Sequence, residues 1–217
     1  MTNKLYKNWL NIQDKEINAK LTQMSEEEVQ KRFSGILSFG TAGLRGKMEL
    51  GTNRINEVNV CKLAFAILKY FKSKNLKRIV IGFDTRHNSK EYSRIFARVL
   101  AHGGIKVNLY KNFVPTPVLI YSIKETNSNM GIMITASHNQ KMYNGIKVSG
   151  SDGIQISGDV EKCINDLYAK TDEVKAYNEY LSGICKQSKN ITYVNKEIKN
   201  KFLGEFYKNK INADFEL

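Results

Sequence analysis

A short segment with the sequence TASHNQKMYNGIK carries the residues whose types and spacing could do chemistry in this chain. Ser137 is followed directly by His138, and Lys147 stands ten residues after the serine. A serine attacks carbonyl groups only when a base activates it and an acid orients that base. No Asp or Glu lies within several residues of this pair. The segment therefore does not predict a hydrolase triad.

The side chains around the serine are basic or carry amides instead. They are His138, Asn139, Gln140, Lys141, Asn144 and Lys147. Such groups donate hydrogen bonds to anionic oxygens, a preference that suits phosphate. The segment predicts a serine that carries a phosphoryl group, which cations hold and which is transferred by in-line displacement. A capped turn would have much the same composition, so the segment alone leaves both interpretations open.

Two further loops contain residues that could contribute to such a site. One is the glycine-rich stretch 39–53 around Arg45, and the other is DTRHNS at residues 84–89. Neither has the Gly-Lys-Ser/Thr ending of a Walker loop, and no GxGxxG follows a predicted strand, which argues against nucleotide binding. In DTRHNS we expect an ion pair of Asp84 with Arg86 that supports the site, and a structural role for His87.

Helix and strand patterns alternate around these loops. Apolar periodicity and capping residues predict two helical pieces within residues 4–33, a helix capped by Asn56 and a helix that begins at Ser89. Further helices are predicted over 118–125, 159–169 and 196–208. Short apolar runs predict strands at 78–83, 105–110, 131–134 and 145–150. This order predicts an α/β fold whose sheet has crossover helices and an antiparallel or mixed edge.

Composition excludes several classes of protein. The chain has 217 residues, a formal net charge of +13 and 3 widely separated cysteines, which favours neither a disulfide framework nor a zinc site. No apolar run approaches the ~20 residues of a membrane span, and the N-terminus lacks a secretion signal, so we expect a cytoplasmic protein. Its lysines are spread widely without a known nucleic-acid motif, which makes nucleic acid an unlikely main partner.

Four separated motifs together resemble the α-D-phosphohexomutase superfamily. They are FGTAGLRG, DTRHNS, TASHN and YNGIK, in the family's order across roughly residues 33–160. The resemblance implies a mixed β-sheet sandwiched between helices, and a reaction that moves phosphate between C1 and C6 of a hexose phosphate, glucose or mannose, through a bisphosphorylated sugar. A phosphopentomutase-type member, or a non-catalytic phosphate- or RNA-binding remnant of the fold, remains an alternative.

The resemblance also implies roles for individual residues and for cofactors. Ser137 corresponds to the catalytic phosphoserine, and Lys147 corresponds to the lysine that transfers a proton at the sugar hydroxyl. Arg45 and His138 correspond to catalytic residues that lie next to the phosphoserine. Thr135, Asn139 and Asn144 are the expected substrate- or phosphate-binding residues. Mg²⁺ would bind between the phosphoserine and an aspartate loop, and glucose 1,6-bisphosphate or a similar compound would be the activator of an enzyme that acts on a small phosphosugar.

The chain also departs from the family pattern. Gln140 stands where many members have proline, and Asp-x-Asp is absent, so the DGDxDR-type magnesium loop and a sugar-recognition loop are missing. The expected organisation is a first mutase domain at 1–182, followed by a linker around 183–195 and the start of a truncated second domain with a helical extension, at 183–217. We therefore expect a fragment that lacks mutase turnover alone. It would be a truncated gene product, a split enzyme with a separately encoded C-terminal part as its partner, or an incomplete sequence.

Overall fold

The computed structural model describes residues 3–40, 43–183 and 188–211. Its helices are α1 (Lys4–Trp9), α2 (Lys15–Thr22), α3 (Glu26–Arg32), α4 (Glu57–Ser73), α5 (Ser89–His102), α6 (Thr116–Glu125), α7 (Gly158–Ala169), α8 (Glu173–Leu181) and α9 (Lys196–Ile211). Its strands are β1 (Leu44–Lys47), β2 (Arg78–Phe83), β3 (Lys106–Leu109), β4 (Met130–Ile134), β5 (Tyr143–Gly150) and β6 (Ile191–Tyr193).

The strands form one mixed sheet in the order β1-β5-β4-β2-β3-β6. The four strands from β4 to β6 are parallel, whereas β5 runs antiparallel to β4 on one side and to β1 on the other. The predicted α/β sheet with an antiparallel edge is therefore confirmed. Parallel strands bring their carboxyl ends to one edge, where the loops after β2 and β4 can meet.

Helices cover both faces of this sheet, as the resemblance implies. Alternate residues of β2 point to opposite sides, because side chains alternate along a strand. Ile79 and Ile81 belong to the larger core with α4 and α5. Val80 belongs to a smaller core with Leu119 of α6, against which Phe202 of α9 packs. The sandwich and the C-terminal helical extension are both present, and none of the described helices is long and apolar enough to cross a membrane.

The N-terminal segment folds into three short helices among the described residues, where two helical pieces were predicted. The additional helix, α2, begins after Asp14, whose carboxylate accepts hydrogen bonds from the backbone N–H groups of Glu16 and Ile17. Carboxylates are preferred at this capping position, because they satisfy N–H groups that have no partner within the helix. Asp14 was thus an available signal for a helix start.

Two strands lie where the sequence predicts irregular structure. β1 occupies part of the glycine-rich stretch 39–53, and β6 lies within the expected linker 183–195. Each is at most four residues long, and each pairs on one side only, β1 with β5 and β6 with β3. Strands this short carry little periodicity of their own and form because a partner strand accepts them. The helix α8 was also not predicted.

A buried ion pair connects the N-terminal helices to the rest of the fold. Lys62 Nζ of α4 lies 3.0 Å from Glu173 Oε2 of α8, and the indole N–H of Trp9 is 3.4 Å from the other carboxylate oxygen. The Lys62 ammonium also lies 4.7 Å from the centre of the Tyr168 ring. All of these side chains are buried. A buried charge requires such partners, because transfer out of water is costly.

Candidate active site

The predicted phosphoserine segment forms the connection between β4 and β5 at the carboxyl end of β4. Beyond β5 lies β1, and the register places Arg45 opposite Gly145. Lys147 lies two positions from that pair on β5, so Arg45 and Lys147 occupy diagonal positions on one face of the sheet. The sheet therefore brings together three predicted residues that lie up to about a hundred positions apart in the sequence.

Ser137 lies at the exposed tip of this loop in an unusual backbone conformation. Its φ is 57°, in the left-handed region that residues other than glycine, asparagine and aspartate rarely adopt. The Ser137 N–H donates to Thr135 Oγ1 at 3.0 Å, which holds the turn. The Ser137 hydroxyl is 3.4 Å from His138 Nδ1. The loop thus presents the hydroxyl to solvent beside an imidazole.

Arg45 reaches the loop from β1 and keeps unused hydrogen-bonding capacity. Its Nη1 donates to Asn139 Oδ1 at 3.3 Å. Its Nε is buried and donates no hydrogen bond to any of the described residues. A buried donor without an acceptor is costly, so it favours an anionic ligand that supplies one. This arrangement also gives Asn139 a role in orienting Arg45.

Lys147 has an altered protonation equilibrium. Burial lowers the pKa of its ammonium group below the ordinary 10.5, and the positive charge of Arg45 lowers it further. Both effects disfavour the charged form of a lysine. A lowered pKa increases the fraction of neutral amine near pH 7, which is the form that accepts a proton from a hydroxyl group.

Arg86, from the loop after β2, binds the backbone of the serine loop through hydrogen bonds to its carbonyl groups. Its Nη2 donates to the carbonyl oxygens of Ser137 at 2.9 Å and Asn139 at 2.6 Å. Its Nη1 donates to the carbonyl oxygens of Gln140 at 2.9 Å and Tyr143 at 3.0 Å. The predicted ion pair is also present, since Arg86 Nε lies 3.4 Å from Asp84 Oδ2. The sequence indicated the pair but not the four carbonyl contacts.

Asn144 differs from its predicted role as a phosphate-binding residue. Its side chain is fully buried and donates to the carbonyl of His87 and to Ser89 Oγ, both at 2.9 Å. Its Oδ1 accepts the N–H of Gly145. These bonds occupy both amide hydrogens, so the geometry favours bracing of the two loops over contact with a ligand. This contact uses the backbone of His87, so the structural role of its imidazole stays a prediction.

The residues at this site do not fit a magnesium ion. Mg²⁺ prefers oxygen ligands, usually carboxylates and water. No group of three or more His, Cys, Asp or Glu side chains suited to a metal occurs among the described residues. Asp84, in the neighbouring loop, is committed to Arg86 and to Ser89 Oγ. The side chains that meet at the serine loop are cations and amides, which suit phosphate oxygens, and the cations among them repel a metal ion.

Comparison with known families addresses the same region. Residues 37–175 match the family described as phosphoglucomutase/phosphomannomutase, alpha/beta/alpha domain I. The chain belongs to the phosphoglucomutase/phosphomannomutase family. The matched range includes the serine loop, Arg45, Arg86 and Lys147. The similarity suggested by the four sequence motifs is thereby confirmed, while the role of each residue remains a prediction.

Relatives in this family are much longer than the chain. The phosphoglucomutase of Staphylococcus aureus (strain USA300) is 46% identical over 141 residues, which are 64% of this chain and 26% of that protein. The phosphoglucomutase of strain MRSA252 is 44% identical over 144 residues. The chain thus spans about a quarter of the length of the curated relatives that it matches.

Solved structures of the phosphoglucomutase/phosphomannomutase family have the same fold. A protein from Thermus thermophilus, described as a phosphomannomutase, aligns with a TM-score of 0.58 and 27% identity over 74% of this chain and 32% of its own. A family protein from Burkholderia thailandensis aligns with a TM-score of 0.55 over 79% of this chain and 34% of its own. Its 17% identity supports similarity of fold alone.

Proposed function

We propose that this chain is the phosphoserine-bearing domain of a mutase that moves phosphate between C1 and C6 of a hexose phosphate. The observation that carries the proposal is the exposed Ser137 hydroxyl on a loop that shares one end of the sheet with two groups that suit a phosphoryl group and a proton transfer. These groups are Arg45, with its unpartnered Nε, and Lys147, with its lowered pKa. Glucose is the favoured sugar, because the Staphylococcus aureus relatives are phosphoglucomutases.

In the proposed reaction the phosphoryl group on Ser137 passes to a hydroxyl group of the sugar. The sugar oxygen forms a bond to phosphorus as the bond from phosphorus to Ser137 Oγ breaks. Neutral Lys147 accepts the proton of the sugar hydroxyl, while His138, 3.4 Å from Oγ, supplies the proton that the departing serine takes up. Arg45 offsets the negative charge that spreads over the phosphoryl oxygens.

Mg²⁺ has no site on the described residues, so the proposal assigns it no step and no ligand of this chain. Carboxylates from outside these residues would have to form a metal site. For the same reason we propose that the chain alone has no mutase turnover. We also propose that a further part of the enzyme supplies the metal ligands and the contacts that select the sugar. A cytoplasmic location agrees with a sugar phosphate as the substrate.

The proposal is tested by the phosphorylation state of the purified chain. We expect intact-mass spectrometry of the chain as purified to show one phosphate in the wild type. It should be absent from Ser137→Ala, because that hydroxyl combines exposure with the cationic neighbours. Ser151→Ala, which changes an exposed serine in a turn, is the matched control and should behave like wild type.

Two outcomes would count against the proposal. Phosphate that persists in Ser137→Ala would place the acceptor elsewhere. Salt-sensitive RNA binding by the wild-type chain, unchanged in Ser137→Ala and without any phosphoserine, would favour a non-catalytic binding protein. Conversion of glucose 1-phosphate to glucose 6-phosphate by the chain alone would contradict only the proposed dependence on a further part.

A further inference from the structure

The four hydrogen bonds from Arg86 fix the direction of peptide groups in the serine loop. Three of its acceptors are the successive or near-successive carbonyl oxygens of Ser137, Asn139 and Gln140. A peptide group is planar and trans, so its C=O and the following N–H point in opposite directions. No cis peptide bond occurs in the described chain. The N–H groups of His138, Gln140 and Lys141 therefore point away from the guanidinium.

These three N–H groups have no acceptor among the residues that the structure describes. Two other amides of the loop are bonded within it, because Asn139 N donates to Ala136 O and Tyr143 N donates to Gln140 O. Residues 137, 138, 140 and 141 are exposed, so the side of the loop away from Arg86 is open to solvent. Exposed N–H groups without an acceptor in the protein are available to donate hydrogen bonds to an anion.

We propose that Arg86 is a positioning residue that turns the N–H groups of His138, Gln140 and Lys141 towards a phosphate group bound at Ser137. Only the presence of that phosphate rests on the proposed function; the orientation of the amides does not. Arg86 itself lies on the opposite side of the loop from the phosphate. Its guanidinium group forms an ion pair with Asp84 Oδ2, at 3.4 Å, and donates hydrogen bonds to four carbonyl oxygens.

The planar shape of the guanidinium is essential to this role. Two nitrogens of Arg86 each serve two carbonyl oxygens, and the third faces Asp84. A lysine has the same charge but a single nitrogen, which cannot span the same set of acceptors. Asp84 fixes the arginine in turn, because its Oδ1 accepts the N–H of Arg86 and the hydroxyl of Ser89. Shape, rather than charge alone, should therefore decide whether the amides are oriented.

The test is a titration of the ¹⁵N-labelled full chain with inorganic phosphate, followed by NMR. In the wild type we expect the amide signals of His138, Gln140 and Lys141 to shift together, with chloride at equal ionic strength as the blank. Arg86→Ala should raise the dissociation constant for phosphate about tenfold or more. This change corresponds to the loss of one or two hydrogen bonds to a charged group. Added guanidinium ion should restore the affinity, and Arg86→Lys should resemble Arg86→Ala.

Arg78→Ala is the matched control. Arg78 also donates from Nη1 to a loop carbonyl, that of Thr126, but it lies at the opposite end of β2. It should leave the phosphate response unchanged. Amide signals of the central strands report whether each variant is folded, and if Arg86→Ala does not fold, Arg86→Lys and Asp84→Asn decide the matter through the same weakened response.

Clear results would overturn the inference. Wild-type phosphate affinity in Arg86→Ala or Arg86→Lys would show that the loop orients its amides without the guanidinium fork. Shifts confined to side chains, with the three amides unmoved in the wild type, would show that they do not face the anion. Failure to find phosphoserine by mass spectrometry would contradict the proposed function instead, and it would leave this titration unaffected.

Discussion

The buried pair of Lys62 with Glu173 allows a quantitative prediction about stability. Their charged atoms are 3.0 Å apart, and the two residues are 1% and 7% exposed. Lys62→Met keeps the length of the side chain but leaves the Glu173 carboxylate buried without its cation. Removal of one partner from a buried pair typically costs about 3–5 kcal/mol, so we expect a loss of that size in the free energy of unfolding.

The double variant Lys62→Met/Glu173→Gln should recover most of this loss. It removes both charges, while the glutamine oxygen can still accept the hydrogen bond of the Trp9 indole. Replacement of a whole buried pair is often close to neutral, so we expect the double variant to lie within about 2 kcal/mol of wild type. The two substitutions are in contact and should therefore be strongly non-additive.

Urea unfolding provides the assay, because the chain contains a single tryptophan and it is buried beside the pair. The midpoint should fall in Lys62→Met with the slope unchanged, which marks a change in stability rather than in the compactness of either state. Lys201→Met is the control, since Lys201 forms a 2.7 Å pair with Glu125 at the surface. A midpoint for Lys62→Met no lower than that of Lys201→Met would refute the reasoning.

Further predictions concern the site and the response to pH. Gly145→Ala places a Cβ 2.7 and 2.8 Å from two backbone oxygens, so calorimetry should show that the free energy of unfolding falls by about 1–3 kcal/mol. Gly204→Ala, in open space on α9, should leave the free energy of unfolding unchanged or raise it. Because the folded pKa of Lys147 lies below 10.5, its contribution to stability should rise as pH increases towards 10.5. This rise, measured by denaturant unfolding, should be smaller in Arg45→Gln; an equal rise would contradict the charge effect. Burial raises the pKa of Tyr92 to about 12, so the free energy of unfolding should fall between pH 10 and 12 by up to about 1.4 kcal/mol per unit from this group; Tyr92→Phe should flatten that fall.

The regular elements of the main sheet could be predicted because their patterns are local. The side chain of Asn56 caps α4 as predicted, and β2 occupies the predicted range 78–83. β1 and β6 escaped prediction for the opposite reason. Their few residues carry no pattern that separates them from loops, and they become strands through pairing with β5 and β3.

Residue types predict phosphate chemistry at the serine loop, a role that stays a prediction, but they do not predict the contacts that hold the loop in place. Basic and amide side chains near Ser137 indicated phosphate. The direction of the Arg86 side chain and the burial of Asn144 depend on how β2 and β4 lie beside one another. The position of Arg45 near Lys147 likewise follows from the register of β1 against β5. These relations join distant parts of the sequence, and no local pattern encodes them.

The left-handed backbone of Ser137 restricts which hydroxyl-bearing residue can serve at this position. Threonine has a hydroxyl group of similar reactivity, but its branched Cβ makes a φ of 57° costly. A change from serine to threonine would therefore displace the hydroxyl group, which is the proposed phosphate acceptor, or unfold the turn, although the functional group is retained. A single substitution can therefore keep a hydroxyl group at position 137 and still disrupt the backbone geometry of the loop. The geometry of the main chain therefore favours serine over threonine at this position.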